Sequence, residues 1–140
     1  MNPTDTKLKG DIAEQAVILE ALKREWEVLR PIGDRLSYDY VLDIGNCLIK
    51  IQVKSAWYDE QKKNYVVDNR RTKTNRRTMV RSNYKDQDFA ILYIQELQVF
   101  YVMPIEVFNA YGSEIHFVEE EKRQRKPKSS EYREAWDLML

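Results

Sequence analysis

The fold turns on residues 37–54, which read Ser37-Tyr-Asp-Tyr-Val-Leu-Asp-Ile-Gly-Asn-Cys-Leu-Ile-Lys-Ile-Gln-Val-Lys54. Two extended runs, Tyr38–Ile44 and Leu48–Trp57, flank Gly45-Asn46, a pair that tolerates the positive φ of a tight turn. In the second run Ile49, Ile51 and Val53 alternate with Lys50, Gln52 and Lys54, so one face is apolar and the other polar. A hairpin turning at Gly45-Asn46 sets Asp39 beside Gln52, since each lies six or seven residues from the turn. A carboxylate, a carboxamide and the Lys54 ammonium then converge at one end of two neighbouring strands.

Upstream, Thr6–Glu27 carries Ile12, Ala16, Leu19 and Trp26 at helical spacing, widened by Ala13, Val17, Ile18, Ala21 and Leu22. Asp5 or Thr6 can cap its start. Val28–Pro31 reads as a strand, with Gly33-Asp34 as the turn that follows. Downstream, Tyr65-Val-Val67 and Thr78-Met-Val80 can pair as a ribbon around a polar tip. Phe89–Ile94 and Val99–Met103 read as buried strands joined at Gln95–Gln98. Pro104 opens a short helix ending by Gly112, Glu114–Val118 can add a strand, and Ser129–Leu140 reads as a terminal helix. The fold class is α/β, or α+β, with a mixed central sheet flanked by helices. The expected organisation is one domain over 1–140, with a core over 7–118, an excursion at 61–85 and a C-terminal helix at 129–140.

The chain has 140 residues and 23 basic against 23 acidic side chains, a net charge of zero. That figure is a cancellation between blocks. Residues 61–85 hold nine basic side chains against Asp68 alone, and residues 86–121 hold eight acids and no Lys or Arg. Density of the first kind fits a polyanion partner, because cations that engage phosphates release condensed counterions. A solvated basic hairpin is the plainer alternative. Asn64, Asn69, Asn75, Asn83, Thr72, Thr74, Thr78 and Ser82 are interleaved with the cations and can read base edges or brace phosphates. No apolar run reaches the roughly 20 residues that cross a bilayer, and no signal peptide opens the chain. The lone Cys47 fits a reducing, cytoplasmic setting. His116 is the one histidine and reads as a strand residue, and no Gly-rich phosphate loop signals a nucleotide cofactor. Tyr101, Phe108, Tyr111 and Trp136 are candidate interface anchors, with core packing the alternative for most.

Oxygen ligands such as Asp39, the Gln52 amide and the Val53 carbonyl suit a hard cation such as Mg²⁺. Glu14 borders the buried face of the first helix and can reach over the sheet toward that site. Each residue alone also has an ordinary reading: a surface glutamate near a helix start, a turn aspartate, a strand lysine.

Together, Glu14 on the first helix, Asp39 on the second strand and Gln52-Val-Lys54 on the third resemble the PD-(D/E)XK nuclease superfamily. The departure is Gln52, where most of that group carries Asp or Glu. The Gln-Val-Lys variant resembles the small intron-encoded homing endonucleases of bacteria. The likeness spans roughly residues 7–105. It implies a restriction-endonuclease-like core and metal-dependent, site-specific cleavage of double-stranded DNA. It implies Asp39, Gln52 and the Val53 carbonyl as ligands of Mg²⁺, with Mn²⁺ a substitute. Glu14 would ligate directly or through water, and Lys54 would polarise the attacking water. Lys62, Lys63, Arg70, Arg71, Lys73, Arg76, Arg77 and Arg81 would track the DNA. Cutting both strands calls for a homodimer or homotetramer. The rival readings are a structure-selective nuclease, such as a Holliday-junction resolvase, and a catalytically decayed DNA-binding module.

Overall fold

The computed structural model describes residues 3–69, 71–75, 78–82, 86–119 and 128–140, with backbone alone at 3, 4, 71–75 and 78–82. Helix α1 (Pro3–Lys23) leads, followed by β1 (Glu27–Leu29), β2 (Tyr40–Asp43) and β3 (Leu48–Ser55). After β4 (Trp57–Asp59), β5 (Asn64–Asp68), β6 (Arg71–Asn75) and β7 (Thr78–Ser82) come β8 (Phe89–Ile94), β9 (Val99–Pro104), α2 (Ile105–Ala110) and β10 (Glu114–Phe117). The central sheet has the order β1-β2-β3-β8-β9. Strands β3 and β8 run parallel, and the other neighbours run antiparallel.

That one parallel pair explains where the basic segment goes. Parallel neighbours cannot be joined by a tight turn, so the chain needs a long crossover. Residues between β3 and β8 supply it: β4 and β5 join β10, which follows α2, in the sheet β10-β5-β4, and β6 and β7 form a separate ribbon. The expected pairing of Tyr65-Val-Val67 with Thr78-Met-Val80 does not form. Tyr65–Val67 pairs instead with β4 and β10, and β7 pairs with β6, Arg71 opposite Ser82 and Asn75 opposite Thr78. Val66 and Val67 are fully buried, so burial outweighed proximity in the choice of partner.

The hairpin forms as the turn chemistry requires. Gly45 adopts φ 104° and its N–H bonds Asp43 Oδ1 at 2.9 Å, while Tyr40 stands opposite Ile51. Alternation then divides the core between the two faces of the sheet. Ile49, Ile51, Val53, Ile91 and Val102 pack under Ala13, Val17 and Ala21 of α1. These small helical side chains let α1 lie close to the strands. On the opposite face Ala90, Leu92, Tyr101 and Met103 meet Val67, Phe108, Ile115 and Phe117. Strands β8 and β9 are thus covered on both sides, which accounts for their unbroken apolar sequence.

The C-terminal segment departs from the expected helix. It forms two short 3-10 helices, Lys128–Tyr132 and Trp136–Met139, and Glu134 between them has φ 52°. Trp136 is held by packing, 1% exposed, 5.2 Å from Phe100 and 6.1 Å from Trp26 between ring centres, with the Arg24 guanidinium 4.9 Å away. Glu119 receives Tyr101 OH and Arg133 Nε, tying the segment back to β9. Tyr101, Phe108 and Trp136 are therefore core residues, leaving Tyr111 alone of the four aromatics partly exposed. Trp136→Ala should cost about 3–5 kcal/mol, read as a lower denaturant midpoint at unchanged slope.

Candidate active site and nucleic-acid interface

Asp39 lies one residue before β2, where its N–H bonds the Ile51 carbonyl at 2.9 Å and continues the ladder toward Gln52. Its Oδ2 accepts two hydrogen bonds, from Gln52 Nε2 at 2.9 Å and from the Val53 N–H at 2.8 Å. Gln52 is 9% exposed, and its Nε2 also approaches the Val53 carbonyl at 3.4 Å. The hairpin register thus joins the acid and the amide directly. Lys54, two residues on, is half-buried, and its charge acts on Asp39.

Glu14 reaches the same place from α1. Together with Asp39, Arg30, Tyr38 and Tyr40 it lines a cleft of 440 Å³. Arg30 has no counterpart in the sequence reading. Its Nη2 donates to Tyr40 OH at 3.5 Å and its charge acts on Glu14. Gln87 was also missed: buried just before β8, it donates from Nε2 to Gln52 Oε1 at 3.4 Å. Neither belongs to a spaced motif, so each emerges only from the packing of distant segments.

The groups here that could hold a metal are two carboxylates, the Val53 carbonyl and a carboxamide whose NH₂ is turned toward Asp39 and that carbonyl. Among the described residues no group of three or more His, Cys, Asp or Glu side chains is placed to hold a metal. Hard oxygen donors in this number fit a cation that keeps part of its water, as Mg²⁺ does.

Burial raises the Asp39 carboxyl above the ordinary aspartate value, opposed by the Val53 N–H and the Lys54 charge. Glu14 is raised as well, by burial first, then by the charges of Asp39 and Asp11, with Arg30 opposing. Carboxyls raised in this way bind protons more tightly in the folded state than in the unfolded chain. Their contribution to stability is present below the ordinary carboxylate range and is lost as pH climbs through the raised values. In chelator, the thermal midpoint should fall across that window, and Asp39→Asn should remove much of the fall. A scan of Tm against pH checks both.

The basic surface is described in part. Lys62 and Lys63 are exposed in the β4–β5 turn, where Asp59 Oδ1 accepts the Lys62 N–H at 3.2 Å. Arg71 and Lys73 occupy β6, and Arg81 of β7 stands opposite Thr72. Arg70, Arg76 and Arg77 lie outside the described residues. Two of the interleaved polar residues have other tasks. Asn69 is fully buried, and its Nδ2 donates to the Phe108 and Tyr111 carbonyls at 3.0 and 2.8 Å, closing the end of α2. Asn64 Oδ1 faces His116 Nδ1 at 3.3 Å, so His116 is a strand residue as expected. Anchoring by Asn69 ties the end of β5 to the end of α2.

A sequence profile described as PD-(D/E)XK endonuclease matches residues 4–139, well beyond the stretch on which the motif rests. A solved structure described as a bacterial homing endonuclease, I-Ssp6803I, is 64% identical with a TM-score of 0.91. The match covers 96% of this chain and 93% of that one. No curated protein matches the sequence. Among the described residues no helix is long and apolar enough to cross a membrane.

Proposed function

The chain belongs to the PD-(D/E)XK endonuclease family, and from that premise we propose that it is a homing-type endonuclease cutting double-stranded DNA at a specific site. The observation that carries the reading is the direct contact of Asp39 with Gln52 on adjoining strands, with Lys54 on the same strand and Glu14 in the adjacent cleft.

Phosphodiester hydrolysis needs a positioned water, charge neutralisation at the phosphate and stabilisation of the leaving oxygen. Asp39, the Gln52 amide oxygen and the Val53 carbonyl would hold Mg²⁺, or Mn²⁺ in its place, with Glu14 bound directly or through water. When bound, the cation supplies Lewis-acid neutralisation of the phosphate and lowers the pKa of the attacking water. Lys54 orients that water and offsets charge on the phosphate. Arg30 donates to Tyr40 at the cleft, and its charge favours the ionised form of Glu14. Neutral Gln52 in place of a carboxylate leaves the site one negative charge short of the usual family pattern, which weakens its hold on a divalent cation.

The β6-β7 ribbon carries the duplex-tracking cations. Arg71→Ala with Lys73→Ala should weaken duplex binding about tenfold or more and flatten the plot of log K against log salt by about 2, close to 0.9 per lost phosphate contact. Gel shifts over a salt series in Ca²⁺ measure both quantities. Cutting both strands calls for a second copy of the chain, as a homodimer or homotetramer. Helix α1 supports this with exposed Leu8, Leu19 and Leu22 and partly exposed Ile12, spaced almost symmetrically about Gln15 as two antiparallel copies require.

Incubation with Mg²⁺, a library of duplex sequences and a set of branched junctions tests the proposal. Cleavage of plain duplex at one sequence is expected. Cleavage of junctions regardless of sequence would instead make it a structure-selective nuclease, and intact DNA with binding retained would make it a binding module.

A further inference from the structure

Arg30 lies one residue beyond β1, and Pro31 after it keeps the backbone extended, since a proline disfavours the helical region for the residue before it. Leu29 pairs with Val41, so the continued antiparallel register brings Arg30 beside Tyr40. Tyr40 is 4% exposed and packs in one core cluster with Val17 and Ala21, which makes its ring a fixed platform. The Arg30 guanidinium carbon stands 5.5 Å from the centre of that ring, and Nη2 donates to Tyr40 OH at 3.5 Å. Among the described residues this long contact is the one hydrogen bond made by a group with five N–H donors. Arg30 is exposed, and it lines the 440 Å³ cleft together with Glu14 and Asp39.

Each acid of the site has its own cation: Lys54 acts on Asp39, and Arg30 acts on Glu14. Among the described residues Arg30 is nevertheless ion-paired with neither Glu14 nor Asp34, the other acid lining this cleft. An exposed arginine steadied on an aromatic ring, with most of its donors uncommitted, suits an incoming anion better than a resident carboxylate. Its planar fork can donate to two oxygens of one phosphate at once. In the proposed function Lys54 serves the scissile phosphate and a divalent cation engages Glu14. The cut strand then carries its neighbouring phosphate past the Glu14 side of the cleft, where Arg30 stands.

Resting on the nuclease reading above, we infer that Arg30 binds the backbone phosphate next to the scissile one on the cut strand, with Tyr40 as the platform that presents its fork. The contact lies inside the cleft and is separate from the cations of the β6-β7 ribbon.

Gel shifts in Ca²⁺, on the duplex selected from the library above, test this. Arg30→Met keeps the stem over Tyr40 and deletes the charge. It should weaken binding about tenfold and flatten the plot of log K against log salt by about 0.9, the share of one phosphate contact. Neutral methylphosphonate linkages, placed one at a time through the site, then locate the contact. At one linkage next to the cut, the parent protein should lose about tenfold and Arg30→Met less than about threefold, because its partner is already gone. Equal losses in both proteins at every linkage, as a merely structural role would give, would overturn the contact and leave the nuclease reading standing. So would unchanged binding by Arg30→Met, or coupling found only at the scissile linkage or far from the cut. A parent protein that neither binds nor cuts any duplex would overturn the nuclease reading and this inference with it. Thermal unfolding monitors the fold of each variant. Should Arg30→Met fail to fold, Arg30→Gln, which is polar and uncharged, supplies the same contrast.

Discussion

Asp39→Asn should abolish strand cleavage, lowering kcat by about 1,000-fold or more, which corresponds to about 4 kcal/mol of transition-state stabilisation. The asparagine retains one oxygen to receive the Gln52 NH₂ and the Val53 N–H, so the hairpin end stays hydrogen-bonded. It lacks the negative charge that, in the proposed function, draws the divalent cation. Alanine is the poorer choice, because it strands both buried donors at about 1–3 kcal/mol and confuses folding with chemistry. The measurement is single-turnover cleavage of the target duplex in Mg²⁺, beside a gel shift in Ca²⁺. Loss of cleavage with duplex recognition retained is expected; cleavage within tenfold of the parent protein would remove Asp39 from the metal site.

Lys54→Met should lower kcat roughly 100- to 10,000-fold, the range that one proton-transfer or water-orienting group supplies. Methionine keeps the length and apolar stem of the side chain and deletes only the charge. Thermal stability should change little, since Lys54 is half-buried on a strand whose opposite face carries the packing. Lys54→Arg should recover little activity, because a planar guanidinium does not reproduce a compact ammonium at one point. Rate measurements at saturating Mg²⁺ separate this loss from one of metal affinity. A Lys54→Met protein that cuts normally would assign water activation elsewhere.

The juxtaposition of Asp39 and Gln52 in the candidate site was legible because it depends on local rules. Gly45-Asn46 sets the turn, the period of two sets the faces, and together they place Asp39 opposite Gln52 without knowledge of any other part of the chain. The same rules misjudged the crossover. Tyr65-Val-Val67 and Thr78-Met-Val80 have equally good strand chemistry, but pairing depends on which partner buries Val66 and Val67, and that partner is β10, forty-eight residues from Val67 to Ile115. Asn69 looked like a base reader because it sits among cations, although its backbone position drops it beneath α2. The terminal segment has helical composition, yet Trp136 must fill the space between Phe100 and Trp26, and short 3-10 turns deliver it there.

Hydrophobic alternation and turn residues were thus enough for the central hairpin, and a count by segment for the charge block hidden behind a net charge of zero, while the class of chemistry came from the likeness of Glu14, Asp39 and Gln52-Val-Lys54 to a known family. Those features act over a few neighbouring residues, where bond geometry leaves few choices. Arg30 at the cleft, Gln87 behind Gln52, and the seating of Asn69 and Trp136 arose only when segments far apart in the chain were packed together. Which polar group is enclosed, and beside what, follows from how two faces of one sheet are covered, and that depends on the whole chain at once.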